Sequence, residues 1–367
     1  MYSILATAGL FYVNLGGAFL SAFVDGLEIG RDEAGFIVSA NKYGAAFGAL
    51  IATFLVKTIP WRKSAAILLV LMILIDIISS QIIDPQSLIF VRFIHGTIGG
   101  ISVGIGLSVI ARTVDPDKIF GMLLAVQYSF GSLGIWTVPR LVDAFGHMAV
   151  FGVLSLFSIM TLLILPFIPD VKTKKTNETG FKFNISYLLV FALLALFLFQ
   201  ASNMGVADYA FELGKDIGLV NNEVSNMLTI ANIISISGGI LVYIIGTKYG
   251  RTAPLVVGIS ISAIFTFLLH YSSNISIYFL ANTVTGIAWA FVIPYILGLC
   301  ASFDSHGQMA ALAGFISKVG LATGPLVGAL LIIEYGFGLI INIASIALVV
   351  AVVFIYISST KHKESTE

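Results

Sequence analysis

The sequence predicts an all-α membrane protein: twelve transmembrane helices in two pseudo-symmetric six-helix bundles. Three observations carry that prediction. Of the 367 residues, 58% are hydrophobic and only 10% charged, with a mean hydropathy of +1.02, whereas a soluble domain carries roughly a quarter charged residues. Apolar runs of membrane-spanning length recur along the whole chain. The chain also aligns with itself at one constant offset.

In chain order the runs fall near 4–24, 33–56, 64–83, 87–110, 118–139, 148–168, 186–206, 222–245, 253–271, 275–299, 307–333 and 335–358. A run of about 20 residues at 1.5 Å per residue covers the roughly 30 Å hydrocarbon core. The first begins in MYSILATAGLF with no basic residue ahead of it, so it is expected to be a span and not a cleaved leader. A polar stretch, PDVKTKKTNETGFKFN, interrupts the pattern after the sixth run. The expected organisation is therefore an N-terminal bundle over 1–168, a linker over 169–185 and a C-terminal bundle over 186–367.

Basic residues sort across alternate loops. Lys57, Arg62, Lys63, Arg112, Lys118, Lys172, Lys174, Lys175, Lys182, Lys248, Arg251, Lys361 and Lys363 fall on one side, and Arg31, Arg140 and Lys215 on the other. The positive-inside rule then puts both termini and the linker in the cytoplasm of a cell (inner or plasma) membrane protein. Shifting the chain by 190 positions superposes the spans and aligns Glu33 with Glu223, Gly48 with Gly238, Gly96 with Gly286, and Phe145-Gly146 with Tyr335-Gly336. Two homologous halves joined by a cytoplasmic linker are an architecture that places a substrate site between the halves near the midplane.

Four ionised side chains lie well within predicted spans: Lys42, Asp76, Arg92 and Lys318. Each costs roughly 2.5 to 3.5 kcal/mol at a lipid-facing helix centre, so each must find an internal partner or water. At 100° per residue, Arg92, His95, Gly99, Ser102 and Gly106 share one face of the fourth span, with Phe90, Phe93, Ile94, Ile101 and Ile105 on the lipid side. Gly35, Ser39, Lys42, Ala46, Ala49 and Thr53 make a polar and small stripe on the second. Gly320, Gly324 and Gly328 make a small-residue ridge on the eleventh, suited to close helix contact. Asp76 and Arg92 sit at equal depth and are either a structural ion pair or, for Arg92, a contact for an anionic substrate. With three cations against one acid inside the spans, an anionic solute such as a carboxylate supplies the missing charge. The repeat offset pairs Arg92 with Asn282 and Lys42 with Asn232, so these amides join the candidates, and His95 is a candidate protonation switch.

The fourth span, Arg92-Phe-Ile-His95-Gly96-Thr-Ile-Gly99-Gly100, is similar to the RxxxG motif of the major facilitator superfamily, and the resemblance extends over the whole chain. The family's loop motif between spans two and three survives here as Lys57 and Trp61-Arg62-Lys63, with Val56 near the position of its acid. The second-half counterpart is Thr247-Lys248-Tyr249-Gly250-Arg251, again without the aspartate. These residues are the candidate gating loops. The resemblance implies a pathway lined by spans one, four, seven and ten, which adds Asn14, Gln200, Asn203 and Trp289. The family's antiporter signature GxxxGPxxGG is absent from span five, and a similar string stands in span eleven around Gly324-Pro325. The resemblance thus implies a monomeric carrier of a small solute in the lipid bilayer, with uptake favoured over efflux of drug-like compounds and with H+ as the candidate coupling ion.

Enzymatic and nucleic-acid classes lack support in the residues. Acidic and basic residues balance at 19 each, giving no reason to expect a nucleic-acid partner. There is no GxxxxGK(S/T) or HExxH string, Gly100-Ile-Ser102-Val-Gly104 falls inside an apolar span and not at the strand-to-helix elbow a nucleophilic serine needs, and the lone Cys300 forms no intrachain disulfide. No cofactor or metal is expected. A transporter-like sensor and an intramembrane lipid enzyme using Arg92, His95 and Asp76 stand as the lesser alternatives.

Overall fold

The computed structural model describes residues 1–56, 59–110, 112–113, 116–170, 186–303 and 308–366. It divides into two compact units, Met1–Glu178 and Thr179–Glu367; most of the expected linker, 171–185, lies outside the described residues. Every regular element among the described residues is helical.

In the N-terminal unit the first span is interrupted, running as α1 (Tyr2–Ala8), α2 (Phe11–Asn14) and α3 (Gly16–Leu27). There follow α4 (Arg31–Leu55), α5 (Trp61–Ser79), α6 (Pro85–Ile110), α7 (Pro116–Phe145) and α8 (Met148–Ile164). The C-terminal unit contains α9 (Tyr187–Ala207), a short α10 (Ala210–Asp216) that hydropathy did not suggest, α11 (Asn221–Ile245), α12 (Thr252–Leu268), α13 (Ile275–Ala301) and α14 (Gln308–Thr366). The apolar stretch of α14, Leu312–Lys361, is 50 residues long and breaks at Gly336, so it supplies two spans. Six other helices are long and apolar enough to cross a membrane on composition alone. The remaining four spans are α4, α5, α7 and the interrupted α1–α3. They read weakly because they carry charges, as α5 does with Arg62, Lys63 and Asp76, or because they are broken. The fold is that of a twelve-span, all-helical membrane protein.

The glutamate and glycine pairs aligned by the 190-residue offset each have one structural job in both units. Glu33 Oε2 accepts from the Gly30 N–H at 3.2 Å to close the start of α4, and Glu223 Oε2 accepts from the Val220 N–H at 3.1 Å at the start of α11. Both satisfy a main-chain donor that a helix start leaves open. Gly48 lets α4 approach α6 so closely that a Cβ would collide with the Thr97 carbonyl oxygen. Gly238 does the same for α11 against the Ile287 carbonyl of α13, and residue 287 is residue 97 plus the offset. Gly96 and Gly286 face back across those same contacts, toward Asn41 and Ser235. Gly146 and Gly336 both take positive φ, 55° and 64°. That left-handed backbone, which glycine adopts without a Cβ clash, breaks the chain between the last two spans of each unit.

The predicted ridge on α14 also packs as expected. A Cβ at Gly320 would meet Phe197 and Gln200, one at Gly324 would meet Ala201 and Gly205, and one at Gly328 would meet Tyr209. Lipid tails supply no hydrophobic drive between helices, so such backbone-to-backbone approach is how membrane helices gain contact. Two sequence assignments need correction. Ile105 is buried because α6 is covered on more than one face, and Thr53 is exposed because the stripe on α4 turns outward near its end.

Gly48→Val should lower the melting temperature markedly, since overpacking costs about 1 to 3 kcal/mol and this site offers only main chain to move. Gly152 on α8 has open space where its Cβ would stand. Gly152→Val should therefore melt close to wild type in the same detergent.

Candidate functional site

The polar centre of the N-terminal unit is built from three helices. On α5 the buried positions Ala65, Leu69, Met72, Asp76 and Ser79 repeat at helical spacing, so Asp76 occupies a place in a buried stripe. On α6, Arg92, His95, Gly99, Ser102 and Gly106 are all buried, as the 100° projection requires. The two stripes meet where Arg92 Nη1 donates to Asp76 Oδ1 at 2.6 Å, with both side chains at 0% exposure. Arg92 therefore takes the structural ion pair, within its own unit.

Histidine completes the cluster. Arg92 Nη2 lies 2.8 Å from His95 Nδ1, and Asn41 Nδ2 lies 3.0 Å from the same nitrogen. The Asn41 amide is oriented by a second bond, Nδ2 to the Arg92 carbonyl at 3.1 Å. Guanidinium and amide NH2 groups can only donate, so Nδ1 must accept and the ring proton sits on Nε2. That nitrogen is 3.2 Å from Asp76 Oδ1, close but without hydrogen-bond alignment. The guanidinium carbon also lies 5.1 Å from the Tyr12 ring centroid and 5.4 Å from that of Phe151, so aromatic faces cover the charge on further sides. Asn41, Tyr12 and Phe151 escaped the sequence reading. Asn41 lies about 100° around α4 from the Lys42 stripe, in line with Gly44 and Gly48, a pattern that marks the α4–α6 contact. Lys42 itself is buried.

The C-terminal unit holds neutral hydrogen-bonded groups. Trp289 Nε1 donates to Gln200 Oε1 at 2.7 Å, and Gln200 Nε2 donates to Ser317 Oγ at 2.6 Å. The indole can only donate, which fixes the orientation of the amide. Asn203 Nδ2 donates to the Phe199 carbonyl at 2.8 Å, and its Oδ1 accepts from Ser262 Oγ at 3.0 Å. Asn282 Nδ2 donates to the Tyr278 carbonyl of its own helix at 2.8 Å. Asn232 is half-buried on α11. In the other unit Asn14 Nδ2 donates to the Gln127 carbonyl at 3.2 Å. Lys318, next to Ser317, is half-buried, and its ammonium has neither hydrogen bond nor ion pair among the described residues.

The candidate gating residues divide by unit. Lys57 lies outside the described residues. Arg62 Nη2 donates to the Ile168 carbonyl at 2.5 Å and Trp61 Nε1 to Asp170 Oδ1 at 3.0 Å, tying the start of α5 to the chain after α8. Lys63, Lys248 and Gly250 are exposed, and Arg251 is half-buried.

The model of the Major Facilitator Superfamily matches residues 1–303 and 189–367, which together span the chain. The chain belongs to the major facilitator superfamily. Solved structures of similar fold include a D-xylose-proton symporter at 17% identity and a TM-score of 0.71, covering 96% of both chains. The xylose transporter XylE from E. coli, in a partially occluded inward-open conformation, matches at 13% identity and 0.76, covering 96% of this chain and 97% of that one. A variant of the nucleoside transporter NupG matches at 14% and 0.73, covering 97% and 98%. No curated protein matches by sequence. As a member of the superfamily the chain is a multi-pass membrane transporter for a small molecule.

Arg92→Gln strands Asp76 as a buried charge and should destabilise the protein by about 3 to 5 kcal/mol. Adding Asp76→Asn should recover most of that loss, because the pair is then removed together. Thermal unfolding of both single variants and the double variant measures the coupling.

Proposed function

We propose that this transporter carries a small anionic solute, a carboxylate being the fitting class, by gradient-driven alternating access. The observation that carries the reading is Lys318, a half-buried ammonium within a span and without a counter-charge among the described residues. A lone cation at that depth is costly in lipid and is rare outside transport pathways. An arriving carboxylate would neutralise it. Arg92 no longer counts toward the charge deficit, because Asp76 balances it.

Proton coupling is the second part of the proposal, with the Asp76–Arg92–His95 cluster as its seat. A proton reaching His95 Nδ1 would turn an acceptor into a donor facing two other donors, Arg92 and Asn41, and both hydrogen bonds would break. The cluster thus links a protonation event to the packing of α4, α5 and α6. The name of one structure of similar fold, a D-xylose-proton symporter, is in keeping with such coupling.

A neutral polyhydroxylated solute is the competing reading. It is favoured by the Trp289–Gln200–Ser317 chain of neutral donors and acceptors, and by the sugar and nucleoside named for the proteins of similar fold. Counterflow in reconstituted liposomes separates the two. On the anion reading, labelled organic acids exchange, Lys318→Gln lowers the rate at least tenfold, and Lys318→Arg retains it in large part. Exchange of pentoses or nucleosides that is unaffected by Lys318→Gln would replace the anion reading with the neutral one. An imposed inward proton gradient should drive net uptake in wild type and fail to do so in His95→Gln.

Both termini and the linker 169–185 belong in the cytoplasm on the charge rule. An impermeant maleimide should therefore label Asn274→Cys in intact cells and reach Lys361→Cys only after permeabilisation. The native Cys300 is buried and should contribute little background. Labelling of both positions from outside would defeat the twelve-span topology.

A further inference from the structure

A groove of about 980 Å³ opens at the end of the C-terminal unit where α11 turns into α12. One wall is the basic loop Thr247–Arg251; the others come from α12, the end of α13 and the end of α14. Its lining includes two cations, Lys248 and Arg251, and no carboxylate. Arg251 passes over Gly298, with its Nε 3.5 Å from where a Cβ would stand. Neither cation has a side-chain hydrogen bond or ion pair among the described residues. The contrast with the N-terminal unit is direct. There Arg62 donates to the Ile168 carbonyl and Arg112 Nη2 to the Val56 carbonyl at 3.1 Å, so the protein itself uses those guanidinium groups.

The rest of the groove is apolar and open outward. Val256 and Leu299 line it, Val257 is 55% exposed, and Tyr249 and Tyr356 are 75% and 56% exposed. Exposed tyrosines beside a basic loop mark the level of lipid headgroups, where an apolar ring and a polar hydroxyl are both satisfied. Basic pockets between membrane helices at that level suit anionic headgroups. We propose that this groove binds an anionic phospholipid, with Arg251 and Lys248 holding the headgroup phosphate and Val256, Val257 and Leu299 lying along an acyl chain. A soluble phosphate would use the cations and leave the apolar wall unoccupied. A zwitterionic lipid would fill the wall and bring an ammonium toward two cations. An anionic phospholipid satisfies both halves of the groove. The site is distinct from the Asp76–Arg92–His95 cluster and from Lys318, so it stands whether or not the transported solute is an anion.

The test uses the full chain purified in a neutral detergent, with unfolding followed by reaction of a fluorogenic maleimide with Cys300, which is buried in the fold. Phosphatidylglycerol, phosphatidylcholine and millimolar inorganic phosphate are added separately. A ligand that prefers the folded state raises the melting temperature. Phosphatidylglycerol should raise it by several degrees, while phosphatidylcholine and phosphate leave it unchanged. Lys248→Gln with Arg251→Gln should lose at least half of the phosphatidylglycerol shift while melting as wild type does in phosphatidylcholine, and Arg251→Lys should keep most of it. If the double variant fails to fold, Lys248→Gln alone, at an exposed position, should still lose part of the shift. Native mass spectrometry should show one fewer retained phosphatidylglycerol in the double variant. An undiminished shift in the glutamine variants, or the same shift from phosphate alone, would overturn the assignment.

Discussion

A guanidinium with no exposure to solvent must be balanced inside its own bundle, and much of the N-terminal unit can be understood from that requirement. Arg92 has an acid on α5, an imidazole one turn along α6, and aromatic faces from α2 and α8 around it. Asn41 of α4 joins the same cluster, which demands close approach of the α4 and α6 backbones. The glycines of α4 and α6 permit it: Gly44, Gly48, Gly96 and Gly100 each face a main-chain carbonyl of the opposite helix. Charge compensation and helix packing are here one arrangement, because the ion pair is only as dry as the helices are close.

The repeat duplicates the packing and not the chemistry. Glu33 and Glu223, Gly48 and Gly238, and Gly146 and Gly336 hold equivalent places in the two units. The polar side chains they frame differ. Where α6 carries Arg92, α13 carries Asn282, whose Nδ2 donates to the carbonyl one turn earlier on its own helix. A neutral amide can be accommodated locally, whereas a buried cation requires a dedicated counter-charge. The C-terminal unit holds neutral donors and acceptors together with the half-buried ammonium of Lys318. One unit thus holds a charge-balanced cluster and the other a set of neutral, hydrogen-bonded polar groups.

Legibility followed the range of the interactions. The buried face of α6 was readable because its members repeat at helical spacing within a single run. Ile105 was misplaced because a projection assumes one covered side, and α6 is covered on several. Asn41 was invisible for a related reason: it belongs to the glycine stripe of α4, which says that a helix comes close without saying what that helix presents. The short α10 was missed because seven residues are too few for a periodic signal.

By itself the sequence determined the membrane class, the positions of the spans, the internal repeat and the need to compensate charges at Lys42, Asp76, Arg92 and Lys318. All of these follow from local hydropathy, from helix period and from the cost of charge in hydrocarbon. Tertiary structure alone decided that Asp76 and Arg92 take each other as partners. Asp76 and Arg92 are 16 residues apart on different helices, so their meeting depends on the depth and rotation of α5 against α6. Packing between the helices sets those two quantities, and no pattern within either helix encodes them.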